Sequence, residues 1–291
     1  MTRLLLFLAL VGCATDSALE AESQTDGVEV APDSTADWSE HFEAEGSVGT
    51  FVMLDAATGV TTRHDPDRAA MRYTLASTSK VYNGLVFLDQ GVVTDVDSML
   101  AWDGVERWLP VWNRDHSLRT GTQHSAVWLF QRLALEVGRD GYREVLEREP
   151  YGNSALSDTL ETSWLDGTWK ASADEQVAFL DHLRRGDLEF APEHQALVRE
   201  MLPTLVEGGQ VGAANGDRRL RGKTGWGFLE DGSDIGWLVG WVERPEGDVV
   251  YAMNAQAAPG HEFDVGPARL RIVRSVLEDA GFGVRSPGAS P

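Results

Sequence analysis

The chain has 291 residues, 42% of them hydrophobic, which is enough to bury a core as one large domain or two intimate subdomains. Its 25 Lys+Arg against 46 Asp+Glu give a formal net charge of -21, which excludes a nucleic-acid partner because nothing here neutralises a run of phosphates. No segment reaches the roughly 18 apolar residues that span a bilayer, and the single cysteine, Cys13, excludes an intrachain disulfide.

Arg3, the apolar Leu4 to Val11, and then Leu10-Val11-Gly12-Cys13 resemble a bacterial lipoprotein leader, in which cleavage before Cys13 leaves it to carry lipid. An ordinary short secretory signal or a wrongly chosen start codon are the alternatives. Residues 1–12 are therefore expected to be a signal peptide, the protein to be exported to the bacterial periplasm, and Cys13 to anchor it to the membrane. From Ala14 to about Gly46 the composition is acidic and small, with no lysine or arginine between Arg3 and Arg63. That reads as a solvated tether, assigned to residues 13–41, ahead of one folded domain over 42–285 and a disordered tail over 286–291.

Gly49 to Leu54 has the pattern of a strand, and Asp55-Ala56-Ala57-Thr58-Gly59 turns it into a second one. After Leu75 the period changes: Val81, Leu85, Val86 and Leu88 recur at helical spacing, so a buried helix is expected to start at Ser77. Its backbone N–H groups and dipole would favour negative charge developing nearby. A middle section rich in helix formers follows, over Ser125 to Val137, Asp140 to Arg148, Ala173 to Arg185 and Pro192 to Leu202. From Leu220 the pattern is that of antiparallel strands at Arg221 to Phe228, Ile235 to Val242 and Val249 to Asn254. A last helix runs from about Gly266 to Ala280 and is ended by Gly281. Strands at both ends around a helical middle predict an α+β architecture, an antiparallel sheet flanked by helices plus a mostly helical subdomain.

The stretch Ala76-Ser77-Thr78-Ser79-Lys80 places a hydroxyl and an amine three residues apart, on one face of a helix. Serine needs a neighbour to take its proton, and lysine serves only where its environment keeps it from being an ordinary ammonium ion. Functionally read, the motif predicts burial; taken alone, it is more simply a helix cap followed by a solvated lysine. Composition shifts the balance. The chain has three lysines, Lys80, Lys170 and Lys223, and writes the rest of its positive charge as arginine. Arginine has no amine that can be deprotonated, so lysine is required where one matters. Lys80 lies in the serine motif and Lys223 in Lys223-Thr224-Gly225, whereas Lys170 reads as a solvated lysine.

The seven histidines form no His-x-His or His-Glu-x-x-His pairing, which weighs against a zinc hydrolase, and no metal is expected. There is no Gly-x-Ser-x-Gly elbow either, so a covalent serine enzyme would have to use lysine as its base. Three further groups extend the motif into a set. Ser125-Ala126-Val127 offers a second hydroxyl, Lys223-Thr224-Gly225 lies on a strand, and Trp164-Leu165-Asp166-Gly167 precedes a helix.

In this order these residues resemble a class D serine β-lactamase, one of the penicillin-recognising serine enzymes. The sister pattern of class A enzymes has Ser-Asp-Asn in the middle, whereas here it is Ser-x-Val. Trp102-Asp103-Gly104, Trp112-Asn113-Arg114-Asp115-His116, Tyr151-Gly152-Asn153 and Gly236 to Glu243 also look like that family, and the resemblance covers about residues 42 to 285. It implies hydrolysis of β-lactam antibiotics and a β-lactamase/transpeptidase-like fold.

The roles below are what the resemblance implies. Ser77 attacks the lactam carbonyl and forms an acyl-enzyme. Lys80 reacts with carbon dioxide to give an N-carboxylated lysine that serves as general base, with no dissociable cofactor. That chemistry demands a neutral amine, hence an apolar pocket, whose wall Val127 and Leu165 would supply. The buried anion must be hydrogen-bonded, and Trp164 offers an indole N–H; simple core packing is its other reading. Ser125 relays the proton toward the lactam nitrogen and Lys223 sets the positive potential. Thr224 and Arg269 bind the substrate carboxylate, Gly225 belongs to the same substrate-binding strand, and the N–H groups of Ser77 and Trp226 form the oxyanion hole. Asn153 is assigned to a structural turn.

Two positions depart from the family pattern. Ser79 stands where phenylalanine is most frequent and Leu75 where proline is, which bears on how dry the pocket is and on deacylation. The competing functions are a penicillin sensor that keeps its acyl-enzyme and a peptidase acting on cell-wall peptides.

Overall fold

The computed structural model describes residues 33–205 and 218–283. The expected leader, Cys13 and the C-terminal tail lie outside these residues.

Among the described residues the main sheet has six strands in the order β1-β3-β2-β8-β7-β6. These are β1 (Ser34–Thr35), β2 (Ser47–Asp55), β3 (Val60–His64), β6 (Arg219–Phe228), β7 (Asp234–Glu243) and β8 (Val249–Ala257). All pairings are antiparallel except the short β1–β3 edge. A second sheet pairs β4 (Tyr73–Thr74) with β5 (Lys170–Ala171).

Period-two alternation divides the main sheet into two buried faces. Phe51, Met53, Leu238, Tyr251 and Met253 point to one side, where they meet Ile272, Val273 and Val276 of α8 (Val265–Asp279). Val52, Val239, Trp241, Val250 and Ala252 point to the other, against the helical subdomain. At its centre α3 (Lys80–Asp89) is buried from Lys80 to Leu88, and a helix covered on every side belongs inside a lobe rather than on its surface.

Around α3 lie α4 (Leu118–Gln123), α5 (Val127–Arg148), α6 (Ala173–Arg185) and α7 (Pro192–Met201), while the short α2 (Pro66–Ala70) follows β3. The predicted break between two helices near residue 139 is a kink at Gly138, whose φ of 72° is outside the helical range. Ser172 and Glu175 cap α6 reciprocally, and Gly186 in the left-handed region ends it.

Two expectations change. The acidic segment read as tether through residue 41 is packed from residue 33 on: Ser34 and Thr35 pair with β3, and Trp38 and Phe42 enter the core at 4% and 1% exposure. Two aromatics in helix α1 (Ser39–Glu43) and its N-cap outweigh the acidic composition around them, because each buries a large apolar area. The α-helix expected to start at Ser77 starts at Lys80; Ala76–Ser79 forms a 3₁₀ turn ahead of it.

Candidate active site

In the 3₁₀ turn side chains three apart eclipse one another, and Lys80 Nζ donates to Ser77 Oγ at 3.1 Å. Lys80 is fully buried, with Nζ 4.8 Å from the centre of the Phe130 ring. Desolvation lowers its pKa to about 7. No carboxylate pairs with it among the described residues.

The backbone before the nucleophile is held at both ends. Ala76 has a φ of 47°, in the left-handed region that a residue with a Cβ enters at a cost. Its N–H donates to the Trp164 carbonyl at 2.8 Å, and its carbonyl accepts the Ser79 hydroxyl at 2.7 Å. The Ser79 hydroxyl therefore satisfies backbone, and the polar group expected to wet the Lys80 pocket is itself hydrogen-bonded. Trp164 is fully buried, and its Nε1 has no hydrogen-bond partner among the described residues. An orphaned buried N–H is rare and costly, and marks a place for an acceptor.

Ser125 sits between α4 and α5 with a φ of 53°. Lys223, on β6 and 2% exposed, donates to Ser125 Oγ at 2.5 Å and to the Thr224 carbonyl at 2.8 Å. Burial first, and then the charges of Lys80 and Arg269, push its ammonium well below the usual range.

β6 is an edge strand, and its glycines bring it against the serine turn. A Cβ at Gly225 would lie 3.1 Å from Thr78 Cγ2 and 3.3 Å from the Leu75 carbonyl oxygen; one at Gly227 would lie 2.8 Å from Thr74 Cγ2. Trp226 between them keeps its side chain 51% exposed while its backbone runs beside residues 74–78. That adjacency is what an oxyanion hole shared between Ser77 and Trp226 requires. Arg269 of α8 donates to the Gly225 carbonyl, and its buried Nε has no partner among the described residues. Burial lowers its pKa to about 10.

A cavity of about 600 Å³ joins these groups: Ser77, Ser125, Val127, Leu165, Thr224, Trp226 and Arg269 all line it. Lys170 pairs with Glu230 at 3.1 Å at the rim of a separate pocket. Asn153 bonds the backbone of Thr168 and Lys170, as a turn residue does.

The sequence reading missed the ring of Phe130, although Phe130 follows Val127 at the three-residue spacing of one helix face. It also missed Trp108, Leu109, His124 and Phe228 as cavity residues. His124 directly precedes Ser125, which was the available signal.

Residues 49–278 match the family model of the penicillin binding protein transpeptidase domain. The chain is 37% identical to beta-lactamase OXA-20 of Pseudomonas aeruginosa over 246 residues, covering 84% of this chain and 87% of that one. Among solved structures it is similar to the class D beta-lactamase YbXI from Nostoc, with a TM-score of 0.76 and 28% identity over 84% of this chain and 98% of that one. It is also similar to the C-terminal domain of the Bacillus licheniformis BlaR penicillin-receptor, with a TM-score of 0.78 and 27% identity over 86% and 97% of the two chains.

Proposed function

This chain belongs to the penicillin-binding protein transpeptidase family and, within it, to the class D β-lactamases, a β-lactam hydrolase; from that premise we propose that it works through an acyl-enzyme on Ser77, with Lys80 N-carboxylated as general base. The observation that carries this is an amine that is buried, unpaired by any described carboxylate and 3.1 Å from the nucleophile. At a pKa of about 7 the amine is half neutral at neutral pH, and only the neutral amine is nucleophilic.

The orphaned Nε1 of Trp164 fits an added anionic acceptor and would hold it. Carbon dioxide condensed on Nζ would supply an oxygen base able to take a proton from a hydroxyl or from water. The chain's own groups do the rest. Ser77 Oγ attacks the lactam carbonyl, and the N–H groups of Ser77 and Trp226 stabilise the oxyanion. Ser125 passes its proton to the lactam nitrogen, and Lys223, bonded to Ser125 Oγ, holds that hydroxyl in place; burial works against the positive potential expected of it. Thr224 and Arg269, which line the same cavity, bind the substrate carboxylate.

The test is steady-state hydrolysis at rising bicarbonate for the wild type and Lys80→Ala. Bicarbonate should raise the wild-type rate most on the acid side of pH 7, and Lys80→Ala should trap acyl-enzyme or fail to react. A Lys80→Ala variant that turns over normally overturns the role.

The likeness to the BlaR penicillin-receptor domain favours a second reading, a sensor that keeps its acyl-enzyme. Many turnovers of nitrocefin indicate a hydrolase, and one stoichiometric burst a sensor. Export to the periplasm with lipid on Cys13 completes the proposal; incorporation of labelled palmitate, lost in Cys13→Ser, would support it.

A further inference from the structure

The chain carries a net charge of -21, yet none of the residues lining the cavity is an aspartate or glutamate. Arg269 lines it and supplies positive charge. His124 lines the same cavity, and Arg114 lies beside it, with a guanidinium nitrogen 3.1 Å from His124 Nε2. An arginine nitrogen is always a donor, so Nε2 is the acceptor and the imidazole proton is on Nδ1. Nδ1 has no partner among the described residues, and it is not among their buried unpartnered atoms. Arg114 is exposed and makes no ion pair among the described residues.

The backbone of His124 is held firmly. Its N–H donates to the Thr120 carbonyl at 3.0 Å and its carbonyl accepts the Trp112 indole N–H at 2.8 Å. A fixed N–H donor backed by an unpaired cation is a charge-assisted donor, stronger toward an anion than toward a neutral acceptor. In a protein whose overall field repels anions, such a local pair decides which anionic groups are tolerated.

We propose that His124, backed by Arg114, is a specificity-determining residue that accepts a second anionic group, a carboxylate carried on the side chain of a β-lactam. The inference rests on the hydrolase reading above. His124 donates Nδ1–H to that carboxylate, Arg114 fixes the donating tautomer and adds attraction, and Arg269 holds the carboxylate common to all these substrates.

The test uses a matched pair, a penicillin with a phenylacetyl side chain and its α-carboxy counterpart. Turnover of the first by the wild type secures the hydrolase reading independently, and the ratio of kcat/KM for the two substrates bears on the subsite alone. Arg114→Met and His124→Phe should each lower the ratio of dianion to monoanion by about tenfold, mainly through KM. Both substrates are compared at one ionic strength, because salt screens the repulsion from the net charge of -21 as well as the local attraction. Arg114→Glu, at an exposed position, should lower the ratio further than Arg114→Met and keeps the test intact if His124→Phe fails to fold. A ratio unchanged by the Arg114 substitutions overturns the proposal.

Discussion

The carbonyl of Trp164 accepts the N–H of Ala76 at 2.8 Å, so the loop that carries the unpartnered indole is fastened to the residue immediately before the nucleophile. The group that would hold an anion on Lys80 and the group that is acylated are thus set by one backbone contact.

Trp164→Phe keeps the ring in the core and removes the N–H alone. A hydrogen bond to a charged group contributes about 1.5–3 kcal/mol, so kcat should fall by about 10- to 100-fold. Rapid-quench detection of acyl-enzyme should show it accumulating, and added bicarbonate should recover part of the loss. An unchanged kcat would remove Trp164 from the chemistry and leave it a packing residue.

The pH dependence follows from Lys80. Its pKa in the folded chain is lowered from 10.5 to about 7, so activity that needs the neutral amine should rise through about pH 7. Between the two values the unfolded chain binds one more proton than the folded one, so this group's contribution to stability increases with pH across that window. Lys80→Met should therefore raise the melting temperature at pH 7 by several degrees while abolishing turnover, as happens when a site residue held under strain is removed. A melting temperature that drops would show the amine to be satisfied in a way its surroundings do not reveal.

Ser125 combines a reacting hydroxyl with a φ of 53°. Ser125→Ala and Ser125→Gly should both cut acylation by about 10²- to 10⁴-fold, the range for loss of a positioned proton donor. They should differ in denaturant midpoint, with the glycine variant about 1 kcal/mol more stable because it enters the left-handed region freely. Equal stabilities would mean that the backbone at 125 relaxes once the hydroxyl has gone.

Gly227→Ala introduces a Cβ that would lie 2.8 Å from Thr74 Cγ2 and 3.2 Å from the Cβ of Ala76. The strand must move away from the serine turn, costing about 1–3 kcal/mol of stability. Acylation should fall by more than the stability loss explains, because the backbone of Trp226 moves with it. Normal kcat/KM in a destabilised variant would detach the oxyanion hole from Trp226.

Much of the fold follows from local pattern. Strands β6, β7 and β8 and helices α6 to α8 lie within a few residues of their sequence expectations, since side-chain period and capping chemistry act over one or two turns. The segment from Asp33 to Glu45 departs from its acidic pattern because composition describes average solvation, whereas Trp38 and Phe42 act as individual anchors into a core the sheet supplies. Ser77 lies in a 3₁₀ turn rather than the first turn of an α-helix because Ala76 is clamped by Trp164, a residue 88 positions away in the chain.

The sequence by itself determined the chemical inventory: a hydroxyl three residues from a lysine, a second hydroxyl, a second lysine on a strand, and almost no other lysine. Those are properties of residue type and spacing, and they survive any packing. Only the tertiary structure decided that Lys80 is dry and lies against Phe130, that the Trp164 indole is left without a partner, that Ala76 and Ser125 are held left-handed, and that Arg114 stands beside His124 at a cavity free of carboxylates. Dielectric environment, backbone strain and through-space partnership arise between segments far apart in the chain, so no local pattern carries them.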